Sequence, residues 1–434
     1  MEEKYRVIYF LYYIGVFTIS FDIFLNIEIV GFSFRFAQLV FIFPIVFGIL
    51  ISLHLKKIIK PLSIYSLLLW VLFVLLFIPN TTYLNRSIGY ALFAVFNLAL
   101  VFSTVQIFNT KNLILKLVKI YVYSFVFVAI FGIFQFVSPI LGIGRPLIQQ
   151  WWFSNIPRVN GFSYEPSYYA TYMLIGWSFL IYLYFNKSTI LTIKQYRIFI
   201  FLITLALVLC SSRLGWIMMV ICLLSYPFIF LRDLLFKGVI KIKALRYTTI
   251  IGIIGILFCI YFIKFVDFNK IRFLLAGLGI GGSPDYSSTS RINSALDTFT
   301  IFLKSPIIGY SLGGITPAIG KLIYHVNVTN QNLAESIHSA SVFLESLAAV
   351  GIIGFLPFIF FIVSIIIKPL KLSNQIYDKD LSLILKGLAY SLIFLLIILQ
   401  TKQNILRLYL WLHIAILLTS YSVALKTYKP ILRK

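Results

Sequence analysis

The residues of this 434-residue chain best equipped for chemistry are a few arginines, two glutamates and one histidine, placed where long apolar runs begin or end. Arg158, Arg213, Arg272 and Arg291 are permanently charged. Each presents a planar fork suited to bidentate contact with phosphate or pyrophosphate, where a lysine would act as a point charge. His338 is the best-suited general base, because an ordinary imidazole pKa of about 6.5 lets it accept a proton at neutral pH, and a nearby carboxylate strengthens it. The other histidines fit less well. His54 abuts a lysine pair, His325 lies mid-loop, and His413 falls inside the last apolar run, where a packed or hydrogen-bonded role is expected. Glu335, His338 and Glu345 stand at spacings of three and seven, which puts them on one face if a helix starts early enough.

A second constellation lies in RVNGFSYEPS, residues 158–167, where Arg158 precedes Glu165 by seven positions. Asn160–Gly161 is a turn signal, and Pro166 suits the first turn of a helix. Two readings stand side by side. One is an exposed ion pair at a helix start, where a carboxylate also suits the helix dipole. In the other, Arg158 holds an anionic leaving group while Glu165 contacts a sugar hydroxyl or orients a neighbouring basic residue.

These residues must be held by helices in lipid. With 61% hydrophobic and 12% charged residues, the composition excludes a soluble globular domain. Runs of about twenty apolar residues suffice to cross roughly 30 Å of hydrocarbon as helices. Twelve are read, near 6–26, 35–54, 62–79, 88–108, 117–138, 167–185, 196–211, 213–231, 248–265, 340–367, 382–400 and 407–425. The expected class is all-α: a polytopic membrane protein of about 12 spans, forming a single transmembrane domain over 1–434. The first run lacks a small-residue cleavage site and reads as a retained helix. Cys210, Cys222 and Cys259 sit within apolar runs without paired spacing, so they read as small buried hydrophobes.

A net charge of +24 is distributed by sidedness and does not point to nucleic acid. With the N-terminus inside, the inner segments hold 24 of the 37 basic residues, which assigns both termini to the cytoplasm. The inner set is 19 Lys and 5 Arg; the outer set is 5 Lys and 8 Arg. The lysines read as topology signals. The outer arginines are Arg35, Arg86, Arg145, Arg158, Arg213, Arg272, Arg291 and Arg407. For each, the alternative to anion recognition is snorkelling to lipid headgroups.

Two outer segments stand out, a short one at 139–166 and a large one at 266–338 between the ninth and tenth spans. The first carries Trp151 and Trp152, as expected where a chain skims the headgroup layer. In the second, FLLAGLGIGGSPDYSSTSR (273–291) lacks the GxxxxGK[ST] pattern of a phosphate loop. FLKSPIIGYSLGG (302–314) reads as a compact loop. Asp267, Asp285 and Asp297 are scattered, with no DxD-like cluster to hold magnesium, so no metal is expected.

Four stretches, RVNGFSYEPS (158–167), SSRLGW (211–216), SRINSALDTFTIFLKSPIIGYSLGG (290–314) and HSASVFLESLAAVGIIGF (338–355), together resemble the bacterial O-antigen polymerase and O-antigen ligase superfamily. The resemblance covers about 150–360; the N-terminal third matches only in hydropathy. It implies a GT-C-like glycosyltransferase of the cytoplasmic membrane, active at its periplasmic face. The implied donor is an undecaprenyl-pyrophosphate-linked oligosaccharide, and the implied acceptor is a hydroxyl. Carried over position by position, it makes Arg158, Arg213 and Arg291 the essential arginines and His338 the loop-end histidine. Expected binding residues are these arginines with Arg272 and Glu345, and expected catalytic residues are His338, Arg291, Arg158 and Glu165. No cofactor is implied; membrane lipids and a polysaccharide chain-length regulator are expected partners.

RVNGFSYEPSYYA looks more like the polymerase branch, and the histidine stretch lacks the His-Asn pairing associated with many ligases. The ligase, which transfers the finished chain to a lipid A core, stays as the alternative. From another class, a lipid-linked oligosaccharide flippase predicts ionisable residues buried mid-span or helices broken in corresponding halves, and few such features are present.

Overall fold

The computed structural model describes residues 5–29, 32–54, 56, 58–143, 147–152, 156–237, 286–401 and 405–432. Its helices are α1 (Arg6–Phe17), α2 (Phe36–His54), α3 (Ile64–Leu76), α4 (Leu84–Ile107), α5 (Lys111–Val137), α6 (Pro166–Phe185), α7 (Ile193–Leu209) and α8 (Arg213–Lys237). They continue as α9 (Tyr286–Lys304), α10 (Ile315–Leu322), α11 (Gln331–Ser336), α12 (Val342–Ser373), α13 (Lys379–Ile398) and α14 (Leu408–Leu432). Two short antiparallel pairs interrupt the all-helical pattern, β1 (Ile27–Ile29) with β2 (Phe32–Phe34) and β3 (Trp151–Trp152) with β4 (Ile156–Pro157). The ninth apolar run, 248–265, lies outside the described residues, as do Arg145, Arg272, Cys259, Asp267 and Asp285.

Among the described residues, α2, α4, α5, α12, α13 and α14 are the 6 helices long and apolar enough to cross a membrane. This is a multi-pass helical membrane protein. α6 has the length, but its tyrosines, serines and threonine lower its hydropathy. It compensates by burial: Ser167, Tyr169, Thr171, Tyr172 and Ser178 are all enclosed by protein. The first run departs from expectation, since α1 ends at Phe17 and not near residue 26. The chain then turns, because Asp22 is drawn into a buried ionic cluster that a continuing helix would not reach.

The described contacts form two compact units, one of 1–211 with 294–434 and one of 212–293. In the larger, α6 packs on α13, α12 on α3, α14 on α4, and α1 and α4 on α2. Its centre is aromatic: Trp70 stacks on Trp411 at 5.8 Å and lies 5.0 Å from Phe358, joining α3, α14 and α12. The Trp70 indole N–H donates to Ser346 Oγ at 3.0 Å, so this buried donor is satisfied. In the smaller unit, α8 begins at Arg213, with Ser212 Oγ accepting from Gly215 N at 3.4 Å.

The large outer segment is not a plain loop in its described part, which folds as α9, α10 and α11. Residues 306–311 then dock against α12. α12 is broken at Gly351 (φ 59, ψ −170), freeing backbone groups that the docked segment takes up. Tyr310 N donates to Ala348 O, Ser311 N to Ala349 O and Ile352 N to Pro306 O, each at 2.9 Å. Only glycine fits the break, because a Cβ on Gly351 would stand 2.0 Å from Ile307 O. Two of the quoted stretches, 290–314 and 338–355, therefore interlock through their backbones.

Candidate functional site

RVNGFSYEPS forms a rigid entry to α6. The expected turn is present: Gly161 has φ +54, and a Cβ there would strike the Tyr169 ring at 2.6 Å. Gln135 of α5 clamps it, its Oε1 accepting from Asn160 N at 3.1 Å and Gly161 N at 2.9 Å and its Nε2 donating to Asn160 Oδ1 at 2.8 Å. Arg158 extends from this turn, with Nη1 donating to Gln150 Oε1 at 2.9 Å and Nη2 to Ser211 O at 3.3 Å. The guanidinium is thus tied to the end of the α7 region by a neutral carbonyl. Glu165 is the N-cap residue of α6 and is exposed, and Pro166 takes the first helical position. Ser167 Oγ donates to Glu165 Oε2 at 2.9 Å.

The expectation of one face shared by Glu335, His338 and Glu345 is corrected. α11 ends at Ser336 and α12 starts at Val342, leaving His338 on non-helical backbone between them. The sequence IHSAS explains this, since Ser341 is the N-cap of α12, its Oγ accepting from Leu344 N at 3.3 Å. His338 is exposed, and no hydrogen bond joins it to another described residue. Neither carboxylate supports it directly. Glu335 Oε1 accepts from Gln331 Nε2 at 2.8 Å. Glu345 is 1% exposed in the first turn of α12, accepting from Ser339 Oγ at 3.1 Å and Ile405 N at 3.4 Å. That burial is tolerated because the helix start and these donors both favour the anion.

A buried ionic cluster that the site expectation did not include lies in the same unit. Asp22, 2% exposed, meets Arg35 Nε at 3.0 Å and Arg407 Nη1 at 3.1 Å. Arg407 also lies 4.1 Å from the centre of the Tyr168 ring on α6. Asp22 N donates to Phe162 O at 2.9 Å, so the cluster braces the α6 entry from the far side. One carboxylate serves two guanidiniums unequally. At Arg407 burial works against the charge, but Asp22 and Tyr168 overcome it and hold the proton more firmly than usual. At Arg35 burial and the Arg407 charge outweigh Asp22, pulling its pKa below the ordinary arginine value. The arginines were visible in sequence as outer cations; the signal overlooked was Asp22, a lone acid among apolar residues beside the first span.

The larger unit thus holds Arg158, Glu165, His338 and Glu345, and the smaller holds Arg213 at the start of α8 and Arg291 in α9. His413 is fully buried, 3.1 Å from Tyr121 Oη and 3.1 Å from Ser391 Oγ, a packed and hydrogen-bonded residue as expected. Cys210 and Cys222 are buried and form no disulfide with each other. Among the described residues no group of three or more His, Cys, Asp or Glu is arranged to hold a metal ion.

Residues 198–359 match the sequence model of the family described as O-antigen ligase. Over those residues the match supports the resemblance to the O-antigen ligase and polymerase superfamily. It includes Arg213, Arg291, His338, Glu345 and the interlocked 306–311 segment, and it stops short of Arg158 and Glu165. No curated protein matches the chain.

Proposed function

We propose that this protein is a metal-independent surface-polysaccharide polymerase of the O-antigen type. It transfers glycan from a polyprenyl-pyrophosphate carrier to a hydroxyl of a second lipid-linked oligosaccharide. The observation that carries this reading is the family match over 198–359, in a multi-pass protein with arginines at helix starts such as Arg86 in α4 and Arg213 in α8. In the reaction the acceptor oxygen attacks the anomeric carbon, the C–O bond to the diphosphate breaks, and the acceptor proton passes to His338. Arg158, Arg213, Arg291 and Arg272 stabilise charge growing on the departing diphosphate. Glu165 and Glu345 position the sugar and the surrounding polar groups. The exposure of His338 suits a base that meets its proton only when substrate arrives. We place the site at the periplasmic face of the cytoplasmic membrane, with both termini inside.

The description of the matched family favours a second reading, ligation to a lipid A core. A deletion strain separates the two. Single-repeat glycan on the core supports the polymerase; polymer accumulating on the lipid carrier supports the ligase. In purified protein, His338→Ala should slow elongation by about a hundredfold or more, and Arg158→Ala and Arg291→Ala should abolish it at unchanged protein levels. Near-normal chain lengths in all three variants would overturn the assignment.

A further inference from the structure

Arg86 is a buried cation that the mechanism above does not use. It stands in the first turn of α4 and is 3% exposed. Its Nη1 donates to Gln331 Oε1 at 2.9 Å and its Nη2 to Tyr90 Oη at 2.8 Å, and it lies 4.8 Å from the Tyr90 ring centre. The Nε–H is buried without a hydrogen-bond partner. Among the described residues no carboxylate reaches ion-pair distance of this guanidinium. The other buried charges nearby are matched: Arg35 and Arg407 share Asp22, and Glu345 has two donors. A guanidinium held only by neutral oxygens keeps most of its desolvation cost.

The surroundings increase its appetite for an anion. The N-cap of α4, Tyr83, gives no side-chain cap, so the helix adds its own partial positive charge where Arg86 sits. Gln331 relays in the other direction, donating to Glu335 while its oxygen faces Arg86. Arg158 has different partners, Gln150 and Ser211, so the two cationic centres are built separately.

We propose that Arg86, Tyr90 and Gln331 form an anion subsite for the diphosphate of a second lipid-borne substrate, with Gln331 holding the place until that substrate displaces it. The identity of the lipid rests on the polymerase reading, which needs two diphosphate-bearing lipids where ligation needs one.

The test is equilibrium binding to full-length protein in detergent micelles, using polyprenyl diphosphate, with phosphatidylglycerol and inorganic pyrophosphate as competitors. Wild-type protein should take up two polyprenyl diphosphates. Gln331→Glu, which gives Arg86 an internal carboxylate with little change of shape, should weaken one of the two at least tenfold. Gln331→Ala should retain both, and Arg86→Gln should lose the same one as Gln331→Glu. Inorganic pyrophosphate should compete at that site, while phosphatidylglycerol should not; competition by phosphatidylglycerol as effective as the diphosphate lipid would make it a headgroup site and overturn the proposal. A Gln331→Glu protein that titrates like wild type would overturn it too. If wild type binds two lipids in an Arg86-dependent way but never elongates, the subsite stands and the polymerase reading falls. If the protein elongates while binding a single lipid, and Gln331→Glu leaves elongation unchanged, the polymerase reading stands and the subsite falls.

Discussion

The arginine-bearing and lysine-bearing parts of the larger unit handle charge in opposite ways. Asp22, Arg86 and Glu345 are buried and Arg35 and Arg407 are half-buried, and apart from the Arg35–Asp22 pair their ties reach distant parts of the chain. Lys111 pairs with Asp378 while remaining 46% exposed, and Lys60 reaches only to Tyr65, five residues on. The lysine-bearing part also has local caps, such as the Thr192–Gln195 capping box and Asp378 accepting from Leu381 N at 3.1 Å, and exposed ties such as Thr189 Oγ1 donating to Asp380 Oδ2 at 2.6 Å. Solvated lysines suffice to fix which side a loop occupies. Buried arginines carry a desolvation cost that a topology signal does not require, which supports a role in holding something anionic.

Removing the shared carboxylate tests that contrast most severely. Asp22→Asn leaves two largely buried guanidiniums facing each other, and should cost roughly 3–5 kcal/mol of stability, read by unfolding in micelles. Unfolding at the wild-type midpoint would show the cluster to be as loosely held as the lysine pairs. Gly351→Ala comes next: strain at a positive φ together with contact at Ile307 O should cost about 1–3 kcal/mol in the same assay. At the lysine-bearing end Lys111→Ala should cost no more than about 1 kcal/mol, shrinking further in high salt.

The pH dependence of that last pair has a definite sign. Burial pushes the Asp378 carboxyl up, but the Lys111 hydrogen bond and charge and the Leu381 N–H outweigh it and leave the pKa below the ordinary 3.8. The pair therefore contributes fully above pH 3.8 and loses its contribution as pH falls through the lower folded value. Lys111→Ala should remove that acid-sensitive increment, and stability curves that stay parallel at low pH would contradict it.

Helix positions were largely legible, because apolar runs in lipid leave the backbone few alternatives. α2, α6, α8 and α12 begin close to where hydropathy and Pro166 place them, whereas α5 begins at Lys111, ahead of the run read from 117. The α6 entry was also readable, since Asn160–Gly161 and Pro166 carry local signals. What stayed hidden depends on partners far away in sequence. Asp22 gains meaning only beside Arg407, Glu345 only beside Ile405 N, and Arg86 only once Gln331 is seen against it. His338 was singled out by type, but its backbone was misjudged, because Ser341 starts the helix after it.

The join between 306–311 and the break in α12 also bears on how the protein is made. Ala348 O, Ala349 O and Ile352 N lack their usual helical partners and would be left bare in hydrocarbon, at several kcal/mol apiece. Those partners are synthesised earlier, about forty residues upstream. The second half of α12 thus gains its full preference for the membrane only when an older part of the nascent chain returns to meet it, making insertion of this span and tertiary folding one coupled event during biogenesis.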